Sequence, residues 1–429
     1  MKYLSFIIFT LFMASFVSLF HACKAGYNGS FQQPLLKGSD SKMWAHDDDE
    51  NEAVSKKRKK PTRGANTSFF ARDSILEQSD LALESSLDNS DFSKQTKEVL
   101  KKAHKAYKQD ITNLSGNITK NWANDEFEVS STNKMVKYSD HYLSKSSIDF
   151  QNGVIRVETI DKNNPEQALK NAIIMTLLTP QNPSGVDLYT DSEVKFNGKP
   201  FLAGLVKDNE GQDILYEWRA KKYADFLLQN NLKTRTDAKG NKVYFVDVKM
   251  SENYQSLAGN SYQAHAQKYA KQYNLEGALV MAIIHTESNF NPYAMSHVPA
   301  YGLMQIVPST AGADSYELIN GKKGMPSKDM LFTPETNIHY GSAYLHILFE
   351  RYLKGITNPL SHEYCVIAAY NTGSGNVLRA FHSDRKQAIN VINSLTPEQV
   401  YHRLTTRLND EGRRYVQKVT NFKKQYVGI

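Results

Sequence analysis

The sequence predicts an α+β domain followed by an all-α domain. Sustained alternation of apolar with polar residues, the period of a half-buried β-strand, occurs only before residue 254. Beyond that point apolar residues recur every three or four positions to the C-terminus, which is the period of an amphipathic helix. The chain has 429 residues, of which 40% are hydrophobic, so it is long and apolar enough to bury the cores of both domains.

The composition excludes several classes of protein. The formal net charge is +7, a mild excess that falls short of a strongly basic nucleic-acid-binding domain. Two cysteines cannot build a disulfide-rich scaffold or a zinc site with four thiolate ligands. We therefore expect no nucleic-acid partner, no metal and no cofactor.

The first 22 residues have the pattern of a secretory signal peptide. Lys2 is followed by eighteen uncharged and mostly apolar residues, 3–20, and Ala22 is a small residue before a possible cleavage site. The apolar stretch is barely long enough to span a bilayer, so an uncleaved membrane anchor is the alternative.

Cys23 directly follows this segment. The stretch Leu19-Phe20-His21-Ala22-Cys23 resembles the lipobox of bacterial lipoproteins, in which the cysteine becomes the lipid-carrying first residue of the mature protein. In that class an aspartate after the cysteine commonly holds the protein at the inner membrane. Lys24 therefore implies the outer membrane, with the protein facing the periplasm. The alternative is an ordinary signal peptide with a chance cysteine.

Residues 23–92 are predicted to form a flexible tether that begins with the lipidated cysteine. An acidic run at 47–50 precedes a basic run at 56–60, and aliphatic residues are few up to residue 92. Blocks of like charge with few apolar residues do not bury a core. In an exported protein the basic run is better explained as a solvated segment, in contact with anionic lipid or wall polymer, than as a nucleic-acid patch.

The α+β domain is predicted over residues 93–254. Apolar residues between Val99 and Leu114 indicate a first helix, and a hairpin is predicted over 147–160 around the turn Asn152-Gly153. Two further helices and a strand are predicted at 168–178, 223–232 and 243–250. This domain contains no recognisable catalytic constellation, and we expect it to bind or position a ligand.

The all-α domain is predicted over residues 255–429. Its main helices are predicted at 262–273, 275–286, 335–352, 362–370, 385–395 and 411–426. Cys365 lies on an apolar helix and is expected to be a buried core residue without a functional role.

A carboxylic acid next to the second of these helices is the first candidate functional residue. Glu287 lies four residues after Ile283 and seven after Val280, on the same apolar face. Burial disfavours the charged form of a carboxyl group, so we expect a raised pKa, as a general acid near neutral pH requires. The alternative is a glutamate that faces water at a helix end.

Residues that suit a carbohydrate ligand follow this glutamate. No Asp or Glu occurs in residues 288–313. Amide groups can read the N-acetyl groups of a sugar, hydroxyl groups hydrogen-bond to it, and sugar rings stack on aromatic side chains. The pattern therefore indicates a polyhydroxylated, amide-bearing polymer as the ligand. Its candidate contacts are Ser296, Met304, Gln305, Tyr370 and Asn371.

These motifs resemble those of the soluble-lytic-transglycosylase family. The segments that carry the resemblance are Glu287-Ser288, Ser296, Gly302-Leu303-Met304-Gln305, Ala369-Tyr370-Asn371 and Glu411-Gly412-Arg413-Arg414-Tyr415-Val416. The N-terminal region is also similar to the domain that precedes the catalytic domain in a membrane-bound member, through residues 184–191, 200–202 and 224–228. The family implies a lysozyme-like all-α catalytic domain that cleaves the β-1,4 bond between N-acetylmuramic acid and N-acetylglucosamine in peptidoglycan. It leaves a 1,6-anhydro ring on the muramic acid.

The resemblance also implies a role for each candidate residue. Glu287 is expected to act as the acid and then as the base, without a second carboxylate. Ser296 and Tyr415 are expected to hydrogen-bond near the reacting centre. The residues expected to hold the sugar are Met304, Gln305, Tyr370 and Asn371.

The expected partners are peptidoglycan strands and, through acylated Cys23, outer-membrane lipid. One alternative keeps the fold but uses water, as in a goose-type-lysozyme-like hydrolase. A second is a non-catalytic wall-binding lipoprotein in which the N-terminal domain is the functional part. A third alternative, a conjugation-associated wall-opening enzyme, would share the chemistry of a lytic transglycosylase.

Overall fold

The computed structural model describes residues 71–87 and 93–428, and its first folded layer is a β-sheet. The sheet has five strands, numbered along the chain and arranged in the order β1-β2-β3-β5-β4. Each pair of adjacent strands is antiparallel. The hairpin predicted over 147–160 is confirmed, because β2 and β3 pair Ile148 with Ile155. The strands are β1 (Lys134–Ser139), β2 (Ser144–Asp149), β3 (Val154–Thr159), β4 (Lys233–Thr236) and β5 (Lys242–Lys249).

Both faces of this sheet carry apolar side chains, and helices pack against both faces. Met135 and Val136 are neighbours in β1 and therefore point to opposite faces. Met135 joins the core cluster that contains the third helix, whereas Val136 joins the cluster that contains Ile111 and Ile118 of the second helix. The helices of this region are α2 (Lys94–Ile118), α3 (Pro165–Leu178) and α4 (Glu217–Asn230).

Helix α1 (Ala71–Leu87) lies within the segment predicted as tether, so that prediction is wrong for residues 71–87. Ile75 and Leu76 pack against the apolar cluster of α2, which gives this short segment a core that it could not form alone. The rest of the predicted tether, the signal peptide over 1–22 and Cys23 lie outside the described residues.

The remainder of the described chain is helical, and the predicted fold class is confirmed. Helix α9 continues into a π-helical turn, Leu348–Tyr352. No helix among the described residues is long and apolar enough to cross a membrane. The helices are α5 (Tyr254–Gln272), α6 (Gly277–Ser288), α7 (Ala311–Asn320), α8 (Lys328–Phe332), α9 (Pro334–Ile347), α10 (Pro359–Thr372), α11 (Ser374–Arg379), α12 (Arg385–Ser394), α13 (Pro397–Arg407) and α14 (Asp410–Lys423).

Helix α6 is buried on almost every side, between α5 and α14. The sheet region and the helical region also share one apolar core. The ring of Phe201 lies 5.4 Å from that of Tyr293, and the Tyr293 hydroxyl donates a hydrogen bond of 2.6 Å to the carbonyl of Pro180. The α+β region therefore packs directly against the helical region. The exact domain boundary at 254/255 stays a prediction.

Candidate active site

Glu287 lies in the last turn of α6 and is partly buried. Burial raises the pKa of its carboxyl group to about 8, because an apolar setting disfavours the charged form. The Tyr415 hydroxyl of α14 donates a hydrogen bond of 2.7 Å to Oε1 and opposes this rise, whereas the negative charge of Glu411 adds to it. A carboxylic acid that keeps its proton near neutral pH can act as a general acid.

Ser288 ties the end of α6 to the loop that follows. Its Oγ lies 3.0 Å from the carbonyl oxygen of Ile284 and 2.9 Å from that of Leu303, and the side chain is fully buried. Asn289 and Phe290 then take the left-handed backbone conformation that ends the helix. The chain therefore turns back so that the loop carrying Gly302 lies against the end of α6.

Gly302 allows this loop to approach its neighbours more closely than any other residue would. Its φ is +76°, and a Cβ there would lie 2.4 Å from Nδ2 of Asn337 and 2.5 Å from the carbonyl oxygen of Leu331. Glycine is needed both for the backbone angle and for the missing side chain.

Asn337 of α9 fixes the conformation of the Gly302 loop. Its Nδ2 donates hydrogen bonds of 2.7 Å to the carbonyls of Tyr301 and Leu331, and its Oδ1 accepts one of 2.7 Å from the Met304 amide. The side chain is fully buried. The sequence offered no signal for this residue, because its partners lie in other elements and no local spacing links them.

Gln305 and Met304 have different surroundings. The Gln305 backbone has a φ of +48°, and its Nε2 donates to the Gly302 carbonyl at 2.9 Å. Its Oε1 is buried and has no hydrogen-bond partner among the described residues. Met304 is fully buried, with its sulfur against Gly341, so the predicted sugar contact of this side chain is wrong. Its carbonyl instead accepts a hydrogen bond of 2.9 Å from Tyr370.

The structure brings Gln305, Tyr370 and Asn371 together around one cavity. Ser86 of α1 and Leu100 of α2 line the same cavity. Burial raises the pKa of Tyr370 well above its usual value, and the charge of the α6 glutamate adds to the rise. The cavity is therefore lined by two amide side chains and by a tyrosine that interacts electrostatically with Glu287.

Ser296 lies apart from that cavity, in a turn of the loop that begins after α6. Its hydroxyl donates to the carbonyl of Val298, and its Oγ accepts a hydrogen bond of 3.3 Å from the Ala300 amide. The hydroxyl is therefore occupied within its own turn, and the contact predicted for it near the reacting centre stays a prediction.

Cys365 is buried and unpaired, as predicted. Within the ranges that the structure covers, no group of three or more His, Cys, Asp or Glu residues could hold a metal ion.

Two family models match the chain in succession. Residues 99–261 match the model described as "Membrane-bound lytic murein transglycosylase C, N-terminal domain", and residues 264–393 match the model described as "Transglycosylase SLT domain". The two matches follow each other in the order of the sheet region and the helical region.

Curated relatives and a solved structure were also found. The chain is 44% identical over 312 residues to proteins named membrane-bound lytic murein transglycosylase C from Yersinia pestis and Yersinia pseudotuberculosis. Each match covers 72% of this chain and 87% of the relative. The lytic transglycosylase Slt of Pseudomonas aeruginosa is 27% identical over 38% of this chain, which spans 24% of that protein. The TM-score of 0.29 is too low to establish a shared fold.

Proposed function

The chain belongs to the family of membrane-bound lytic murein transglycosylase C, and from that membership we propose that it cleaves peptidoglycan as a lyase. Glu287 is the acid and base of this proposal. The observation that carries it is a carboxyl group with a pKa of about 8, held by Tyr415 next to a cavity lined by amides and a tyrosine. A surface glutamate at a helix end would have neither the raised pKa nor the cavity.

The reaction needs one proton carrier and no water. Protonated Glu287 gives its proton to the glycosidic oxygen between N-acetylmuramic acid and N-acetylglucosamine, and the bond from that oxygen to C1 breaks. The N-acetyl group of the muramic acid shields the cationic carbon, as in substrate-assisted glycosidases. The Glu287 carboxylate then takes the proton of the C6 hydroxyl, and the C6 oxygen forms a bond to C1. The products are a free hydroxyl on one sugar and a 1,6-anhydro ring on the other.

The surrounding residues orient the acid and the glycan in this proposal. The Tyr415 hydroxyl fixes one carboxyl oxygen, which leaves the other free to face the glycosidic oxygen. Gln305 lines the cavity in which this proposal places the sugar. Asn371 lies at the same cavity and donates a hydrogen bond of 3.3 Å to Glu411, which leaves its amide oxygen for the sugar.

Cleavage is expected to slow as the pH rises through about 8, because the acid must carry its proton at the start of the reaction. Tyr415→Phe removes the hydrogen bond that favours the charged form, so it should raise the pKa of Glu287 and move the alkaline limit to higher pH. Glu411→Gln removes a nearby negative charge and should move that limit to lower pH. The measurement is kcat/KM against pH. Shifts in the same direction for both variants would contradict the assignment of Glu287.

Cleavage itself is tested with insoluble peptidoglycan and the purified protein. We expect the protein to release soluble glycan fragments without added metal or cofactor. Binding to the polymer without any release would favour the non-catalytic wall-binding protein and contradict the proposal.

We further propose that the protein is exported and held at the outer membrane by a lipid on Cys23, facing the periplasm. The relatives are named membrane-bound, which agrees with membrane association. The lipobox-like stretch ending at Cys23 and the absence of aspartate at position 24 support the lipid and the outer membrane.

Cys23→Ser is expected to abolish incorporation of radiolabelled palmitate and to remove the protein from the outer-membrane fraction. The lipid of this class of protein is attached through a thioether, which needs a thiol. The chain has only one other thiol, at Cys365, which is buried. Cys365→Ala is the matched control and should keep the label. If the Cys23→Ser protein still carried label, Cys23 would not be the attachment site.

A further inference from the structure

Helix α1 reaches the candidate sugar-binding cavity although it lies outside both family matches. The helix ends at Leu87, whereas the first family match begins at residue 99. Ser86, in its last turn, lines the cavity that also contains Gln305 and Asn371. A segment that precedes the family domains therefore forms part of the proposed glycan site.

We propose that the end of α1 is a wall that closes one end of the glycan cleft and limits how much glycan fits beyond Asn371. This end wall consists of Ser86 and the neighbouring Leu100 of α2. The inference rests on the proposed cleavage of peptidoglycan, and it adds to it the element that sets how far from the end of a strand this chain cuts.

Polar contacts at the middle of α1 hold it on α2. The Oγ of Ser79 lies 3.1 Å from Nε2 of His104, and both residues are buried. Lys108 donates hydrogen bonds of 2.8 and 2.9 Å to the carboxylate of Asp80. Ser86 lies about two turns after these contacts. The contacts therefore anchor α1 at a distance from the cavity, and the rigid helix places Ser86 there.

The same helix pair is joined to the loop of the cleft. The Tyr107 hydroxyl of α2 lies 2.9 Å from Nδ1 of His297, and Val298, the next residue of that loop, lines the cavity. Helix α2 therefore holds both the end wall and the facing loop.

A wall has a specific consequence for a linear polymer. A cleft that is open at both ends lets a strand run through, so cuts fall at any position. With one end closed, the strand must end at the wall, and the cut falls at a set distance from that end. The protein as it exists should therefore release short products of narrow length distribution from long glycan strands.

The test compares the product lengths of the full chain with those of a variant that lacks residues 71–87. Without the wall, we expect products that are longer and more widely distributed. An unchanged distribution from a folded deletion variant, as judged by its thermal unfolding, would overturn the inference.

Ser86→Trp tests the wall without removing the helix. The indole would extend into the cavity, and we expect kcat/KM on glycan strands to fall at least fivefold. Leu81→Trp is the matched control, because Leu81 is an exposed residue of the same helix that does not line the cavity. Equal activity of the two variants would overturn the inference. If the wild-type protein released no glycan at all, the proposed function would fail; if it cleaved with product lengths independent of α1, only the wall would fail.

Discussion

Replacement of Glu287 by glutamine is expected to reduce glycan cleavage at least about 100-fold, since general acid–base catalysis typically contributes ~10²–10⁴-fold. Glutamine keeps the size of the side chain and can still accept the hydrogen bond from Tyr415, but it cannot give or take the proton. Binding of glycan should persist, because the cavity residues are unchanged. The measurements are the initial rate of fragment release and retention on insoluble peptidoglycan.

Glu317→Gln is the control for the loss of a negative charge. Glu317 is exposed on α7 and does not line the cavity near the acid, so this variant should cleave at the wild-type rate. A Glu287→Gln protein that kept more than about a tenth of the activity would contradict the assignment, because a tenfold loss is only ~1.4 kcal/mol of the barrier.

Gly302→Ala is expected to have the largest effect on stability. A left-handed backbone angle costs a residue with a Cβ about 1–2 kcal/mol, and the new methyl group would collide with Nδ2 of Asn337. Displacing Asn337 would leave buried backbone groups of Tyr301, Leu331 and Met304 without partners, at about 1–3 kcal/mol each. We expect a loss of about 4 kcal/mol or more in the free energy of unfolding, with loss of glycan cleavage, because the loop carries Gln305.

Gly321→Ala separates the two causes. Gly321 ends α7 with a similar φ of +66°, but a Cβ there would meet nothing within 4 Å. This variant should lose only about 1–2 kcal/mol and retain its activity. Urea unfolding measures both variants. Equal losses of the free energy of unfolding in the two variants would show that the close approach of Asn337 to Gly302 does not affect stability.

The elements predicted from the sequence are those with a strong local signal. The β2–β3 hairpin has the turn Asn152-Gly153 between two alternating runs, and α6 has a continuous apolar surface. Strands β1 and β4 were not predicted, because their short sequences, KMVKYS and KTRT, are largely polar and gain their structure from pairing with neighbouring strands. Helix α1 depends on a neighbour in the same way, because Ile75 and Leu76 are covered by the cluster around α2.

The site could be predicted in part for the same physical reason. The raised pKa of Glu287 follows from its place on an apolar helix face, which the sequence displays. Asn337 and Ser288 act through contacts with distant backbone groups, which no local pattern shows. The residue type of Met304 favours a sugar contact, but its side chain packs into the core against Gly341. Residue type alone does not distinguish a cleft contact from a core contact.

The central claim, that Glu287 cleaves the glycan by an internal attack without water, is tested most directly by the mass of the products. Glycan strands of known composition are digested with the wild-type protein, and the fragment ends are analysed by mass spectrometry. We expect every new muramic acid end to be one water lighter than a free reducing end, because its C6 oxygen has closed the anhydro ring. Fragments that consistently carry the additional water would contradict this mechanism and identify the protein as a hydrolase.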